Sequence, residues 1–193
     1  MGVIVVCGDS FMAPDPTAPG RHFSEIMGAI SLARPGCGNI DICFQIEEAI
    51  KLGAHRVIIG TTDSARTELR MTDDSLLGLS LQNFRNGDYI SDTIPTLIGE
   101  ELDIQDKYCI EQPRRDAVKR YFVDIYDSVL KHTTDMWAIG YWCSQLERHD
   151  IQYQVLPRNF CIYEYARDNP NEPYWFHTDF TTQEKAAILL LQQ

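Results

Sequence analysis

Two short runs constrain the fold more than anything else in the chain: "VIVVC" at residues 3–7 and "RVIIG" at residues 56–60. Both are β-branched and apolar, with no polar alternation. A strand of that kind has to be covered on both faces, which is the situation of a strand inside a parallel sheet. Between them, residues 12–19 form a loop punctuated by Pro14, Pro16 and Pro19, and residues 22–27 begin a short helical stretch. "SLAR" at residues 31–34 reads as a second strand, closed by Pro35-Gly36-Cys37-Gly38-Asn39. In "NIDICFQIEEAIKLG" the apolar residues Ile42, Cys43, Ile46, Ala49 and Ile50 recur at helical spacing, so a helix is expected with Asn39 as its cap and Gly53 as its stop. The first third is therefore β-α-β-α-β, a parallel sheet with right-handed crossovers.

Residues 61–113 lack a clean period and contain Asn86-Gly87-Asp88, as expected of an elaborated, functional loop insertion. Two helical patterns follow, "RDAVKRYFVDIYDSVLK" and "DMWAIGYWCSQLERHD". Their aromatic residues Tyr121, Phe122, Tyr126, Trp137, Tyr141 and Trp142 fall at helical spacings and read as core stripes. "IQYQVLP" and "FCIYEY" return to strand. Residues 181–191 form a last helix, with Thr181 and Glu184 spaced as a capping box.

The whole chain of 193 residues fits a single domain with one sizeable core. Its formal net charge of -11 argues against a phosphate-backbone partner, because nucleic-acid binding needs a Lys/Arg surplus to displace counterions, so no nucleic-acid partner is expected. It argues equally against anionic membrane surfaces. No run approaches the ~20 apolar residues of a bilayer span, and no basic leader with a cleavage site precedes the first strand, so a cytoplasmic protein is expected. In that setting the six cysteines (Cys7, Cys37, Cys43, Cys109, Cys143 and Cys161) are read as reduced packing residues. There is no C-x-x-C pair and no H-E-x-x-H spacing, so no metal site is expected.

In open parallel sheets, ligands bind outside the carboxyl ends of the strands. Four polar segments fall at that edge: Gly8-Asp9-Ser10, Gly36-Cys37-Gly38-Asn39, Thr61-Thr62-Asp63-Ser64, and His177 just before the last helix. A serine hydroxyl is a poor nucleophile at neutral pH and needs a base, commonly His, together with donors for the developing oxyanion. Ser10 and His177 supply the first two. A plainer reading makes Ser10 a helix N-cap and His177 a loop residue.

In order and spacing these blocks resemble the SGNH (GDSL-type) hydrolases, a family of esterases, lipases and carbohydrate deacetylases on a flavodoxin-like three-layer α/β sandwich. The resemblance implies that fold here, with a central parallel sheet of about five strands. It implies Ser10 in "GDSFM" as nucleophile, following Asp9, and His177 as base. It also implies a backbone oxyanion donor in "RPGCGN", at Gly38 or Asn39. The family's Gly-x-Asn-Asp block is "GTTD" in this chain, keeping Gly60 and Asp63 but carrying Thr62 in place of Asn. The family's Asp-x-x-His becomes Tyr174 followed by His177. The Thr62 hydroxyl is a weaker substitute donor, and Glu172, Asp179 and Asp63 are the candidates to orient His177. Arg66 and Glu68 in "SARTELR" could bind an acidic or polar substrate group at the mouth of the site, the plainer reading being a solvated loop ion pair. The expected activity is hydrolysis of a small ester or acylated substrate, without metal or organic cofactor. The alternative is a non-catalytic relative that binds a small ligand at the same edge. Chains with this block pattern also occur in bacteriophages, so the resemblance allows a viral origin.

Overall fold

The computed structural model of the chain describes residues 2–14, 16, 19–34, 37–62, 64, 66–70, 76–80, 120, 124–156 and 180–192. In chain order the elements are β1 (Ile4–Cys7), α1 (Phe23–Ile26), β2 (Ile30–Ser31), α2 (Asn39–Lys51), β3 (Arg56–Gly60), β4 (Arg66–Arg70), β5 (Leu76–Ser80), α3 (Ser128–Arg148), β6 (Gln152–Leu156) and α4 (Phe180–Gln192). Four strands form an all-parallel sheet in the order β2-β1-β3-β6. β4 and β5 form a separate antiparallel hairpin within the expected insertion.

The two apolar runs behave as their composition requires. Val5, Cys7, Val57 and Ile59 face one side, against Ile42, Cys43, Ile46 and Ala49 of α2 and Ile139, Cys143 and Leu146 of α3. Val6, Ile58 and Leu156 face the other side, against Met12, Phe23 of α1 and Ala186, Ala187 and Leu190 of α4. Helices therefore cover both faces of the sheet. Each fully buried Val or Ile contributes about 1.5–3 kcal/mol relative to exposure.

Several local expectations shift. The cap of α2 is Gly38, and Asn39 is the first helical residue, its side chain engaged elsewhere. Leu52 ends the helix, with Gly53 following at φ 68°, the left-handed position that glycine occupies without strain. The second strand is Ile30–Ser31, slightly ahead of "SLAR". The two expected helices of the second half meet differently: Ser128–Lys131 belongs to the same long helix as "DMWAIGYWCSQLER", with Asp127 as N-cap, accepting from Val129 N and Leu130 N. Residues 115–119 and 121–123 of the earlier helical pattern, Tyr121 and Phe122 among them, lie outside the described residues, as do the "FCIYEY" strand, Cys109 and Cys161.

The aromatic stripe on α3 holds at Trp142, which packs against the core, and is corrected at Trp137 and Tyr141. Trp137 is 72% exposed and Tyr141 58%, because the buried positions Asp135, Ile139, Cys143 and Leu146 run along the opposite face of the helix. Spacing alone could not say which of two helical stripes faces inward. α4 begins at Phe180, so Thr181 lies inside the first turn rather than capping it.

The strand order reverses direction next to β1. The chain leaves β1 for β2 on one side and then crosses to β3 on the other, which makes the carboxyl ends of β1 and β3 the switch point of the sheet. Gly8 follows β1 there at φ 156°. A Cβ at Gly8 would meet Met12 Cγ at 2.3 Å, Met12 Cβ at 2.7 Å and the Gly60 carbonyl oxygen at 3.0 Å. The side chain of Met12 is itself fully buried, so neither neighbour has room to withdraw. Gly8→Ala is expected to destabilise the fold by about 2–3 kcal/mol, read as a lower denaturation midpoint at unchanged m-value.

Candidate functional site

The residue pairs at the switch point are built from the backbone outward. Where β1 ends, Gly8 donates its N–H to Gln45 Oε1 (2.7 Å) and accepts from Gln45 Nε2 (3.2 Å), so one side-chain amide of α2 satisfies both of its main-chain groups. The Gly8 carbonyl also accepts from Arg34 N (3.1 Å) and from Cys37 Sγ (3.2 Å). Where β3 ends, the Asn39 amide repeats the arrangement. Thr62 N donates to Asn39 Oδ1 (3.0 Å) and Asn39 Nδ2 donates to Thr62 O (3.1 Å). Thr61 N donates to Leu156 O (3.1 Å), carrying the sheet's hydrogen bonding one residue past β3.

The turn after β1 is organised by Asp9. Its main-chain carbonyl accepts from Met12 N (3.1 Å) and its Oδ1 accepts from Phe11 N (3.0 Å), an Asx-type closure that presents Ser10 within the turn. The other carboxylate oxygen, Oδ2, accepts from Thr62 Oγ1 at 2.7 Å. Asp9 and Ser10 are each 1% exposed. The first helix after this turn starts at Phe23 and is capped by His22, so Ser10 is a turn residue and not the cap of α1.

The expected site residues therefore fall into three groups. Asp9, Ser10, Gly38, Asn39 and Thr62 lie together at the carboxyl edge of β1, β3 and the start of α2. The Thr62 hydroxyl gives its single proton to Asp9 rather than holding it for an oxyanion. Asp63, Tyr174, His177 and the candidate orienters Glu172 and Asp179 lie outside the described residues. For Arg66 and Glu68 only the backbone is described, within β4.

α3 brings in residues that sequence reasoning missed. Asp135, 1% exposed, accepts from Asn39 Nδ2 (3.0 Å) and pairs with Lys131 Nζ (2.5 Å). His132 Nδ1 lies 3.1 Å from Ser64 Oγ, and Tyr126 OH donates to Ser64 O at 2.9 Å. A signal for Asp135 existed: it falls four and eight residues ahead of Ile139 and Cys143, so the apolar face of the helix continues backward onto a carboxylate.

The thiols near the edge are packing groups. Burial, with Cys37 nearby as a second cause, pushes the Cys7 thiol far above the range in which a thiolate forms at neutral pH. Among the described residues the cysteines are all unbridged and buried, and no cluster of His, Cys, Asp and Glu could hold a metal ion. No described helix is long and apolar enough to cross a membrane.

His22 braces the far side of the Ser10 turn. Its Nδ1 accepts from Ser24 N (3.3 Å) and lies 2.7 Å from Ser24 Oγ, while Nε2 contacts Phe11 O at 3.2 Å. These contacts fit the neutral ring carrying its proton on Nε2. Burial lowers its pKa from 6.5 to about 4, against the opposing pull of the Phe11 carbonyl and Glu25. Below pH 6.5 the unfolded chain takes up a proton that the folded chain refuses. The stabilisation due to neutral His22 is thus complete above pH 6.5 and is lost as pH falls toward 4. The full loss is about 3 kcal/mol. Unfolding curves between pH 7 and 5 are expected to be flatter for His22→Gln than for the wild type; equal slopes would remove His22 as the cause.

No protein-family model matches the chain and no curated protein matches it, so a functional reading has to rest on this edge of the sheet and its chemistry.

Proposed function

We propose that the chain is an SGNH-like serine ester hydrolase on a flavodoxin-like three-layer sandwich, with Ser10 as nucleophile and His177 as base. One observation carries the reading. The turns after β1 and β3 and the first residue of α2, the three places where the family keeps its first three blocks, are joined by the Thr62–Asp9 and Asn39–Thr62 hydrogen bonds. Those bonds lie at the switch point of a parallel sheet, where this class of fold puts its ligands. The tie between Gln183 Oε1 of α4 and Phe23 N (2.9 Å) adds support, since α4 then begins near the elements that frame Ser10, and His177 is three residues ahead of it.

In this mechanism Ser10 Oγ attacks the carbonyl carbon of an ester while its proton passes to His177. The main-chain N–H groups of Ser10 and of Gly38 or Asn39 hold the oxyanion. His177 returns the proton to the leaving alcohol, and a water molecule, deprotonated by the same imidazole, releases the acid. The scheme needs no cofactor. With Thr62 turned to Asp9, the oxyanion lacks the side-chain donor that the family's Asn supplies, a loss worth about 10²–10³ in turnover. A slow hydrolase acting on small activated esters or acylated compounds is the consequence.

That same engaged hydroxyl, with Ser10 buried, favours one second reading: a non-catalytic relative binding a small ligand at this edge. Fluorophosphonate labelling separates the two. The hydrolase reading predicts stoichiometric labelling mapped to Ser10, abolished in Ser10→Ala and slowed by at least about 10²-fold in His177→Ala. A folded wild-type protein that takes no label would leave the ligand-binding relative in its place.

A further inference from the structure

We infer that Asp135 is a positioning residue for the turn after β3, acting through the side chain of Asn39. Its catalytic meaning rests on the hydrolase reading above. Asp135 occupies a position on α3 where the helix turns its apolar face to the core: Ile139, Cys143 and Leu146 follow on that face. A carboxylate there is costly to bury unless both of its oxygens are answered. Lys131, one turn earlier, answers Oδ1 at 2.5 Å, and that contact alone would make an ordinary helix ion pair. The other oxygen is directed across to α2, where it accepts from Asn39 Nδ2 at 3.0 Å.

Asn39 is thereby fixed in one orientation. One Nδ2 hydrogen goes to Asp135 and the other to Thr62 O, while Oδ1 accepts from Thr62 N. Turning the amide over would set its NH₂ against the Thr62 N–H and its oxygen against the Asp135 carboxylate, an acceptor-only group. Asp135 therefore adds to the hold on the main chain of Thr62, and through Thr62 Oγ1 to the hold on Asp9 beside Ser10. Asn39 also carries one of the two candidate oxyanion amides, so loosening its side chain disturbs two parts of the edge at once.

The test replaces the ion pair as a unit. Lys131→Met/Asp135→Leu removes the acceptor for Asn39 without stranding a buried charge, a change that cores commonly tolerate. Lys131→Met/Asp135→Asn is the conservative variant, Asn39→Ala the partner variant, and the triple variant combines Asn39→Ala with the replaced pair. Two quantities are read: amide hydrogen exchange of Thr62 against that of Ile58 in the middle of β3, and the rate of fluorophosphonate labelling at Ser10. The expected result is Thr62 exchange faster by about tenfold with Ile58 unchanged, and labelling slower by about tenfold. Lys131→Met/Asp135→Asn, which keeps an amide oxygen for Asn39 with no ammonium competing for it, should recover most of both, and the triple variant should match Asn39→Ala alone. Equal acceleration at Thr62 and Ile58, or effects that add in the triple variant, would overturn the inference. If the wild type takes no label, the hydrolase reading fails separately and exchange alone decides: selective loss at Thr62 sustains the positioning link, and uniform loss ends it.

Discussion

Two side-chain amides of one helix hold the carboxyl edge of this sheet together. Gln45 and Asn39 each offer a donor and an acceptor to a residue just past a strand end, Gly8 after β1 and Thr62 after β3. Both amides are buried, so the main-chain groups they meet have no water to fall back on. Breaking either pair would leave a buried main-chain N–H, that of Gly8 or that of Thr62, without its acceptor, at about 1–3 kcal/mol each. The amides act as a short substitute for a neighbouring strand and fix two turns that would otherwise be free to wander. The Asp9 carboxylate, bonded to Phe11 N and Thr62 Oγ1, then ties the two turns to each other.

The order of these constraints explains the shape of the edge. Because Gly8 is gripped by Gln45 and approached closely by Met12 and the Gly60 carbonyl, there is no space for a side chain there, and the chain must turn at Asp9-Ser10. Because Thr62 is gripped by Asn39, its hydroxyl reaches the Asp9 oxygen that does not face Phe11 N. The arrangement trades a possible oxyanion donor for a rigid floor beneath Ser10. α3 contributes to that floor through Asp135, and α1 braces the outer side of the turn through the contact of His22 with Phe11 O.

Much of the framework was legible in the residues because the signals were local. Unalternating β-branched runs gave β1 and β3 to within a residue, and the 3.6 spacing with a closing glycine gave the extent of α2. What escaped the sequence was long-range. Asn39 is an excellent N-cap by type, yet its side chain bonds Thr62 and Asp135, 23 and 96 residues away in sequence, and glycine takes the cap instead. The spacing of Asp135 places it on the apolar face of α3, but its partner Asn39 comes from a distant helix and shows only in the fold. On α3 the aromatic residues and the true core positions share one periodicity, and only packing against α2 and the sheet shows that Trp137 and Tyr141 point away. His22 likewise looked like the start of a helix, and its contacts with Ser24 and Phe11 O follow from burial beside the Ser10 turn.

The acyl-transfer role we propose for this clasped edge turns on Ser10 Oγ. The most direct measurement is a crystal structure of the protein after reaction with a small fluorophosphonate. The expected structure has a covalent bond from phosphorus to Ser10 Oγ, with the phosphonyl oxygen accepting from the N–H of Ser10 and from that of Gly38 or Asn39. An imidazole nitrogen of His177 should lie within hydrogen-bond reach of Ser10 Oγ. A phosphonyl group on another residue, or one on Ser10 whose oxygen meets no main-chain N–H, would contradict it.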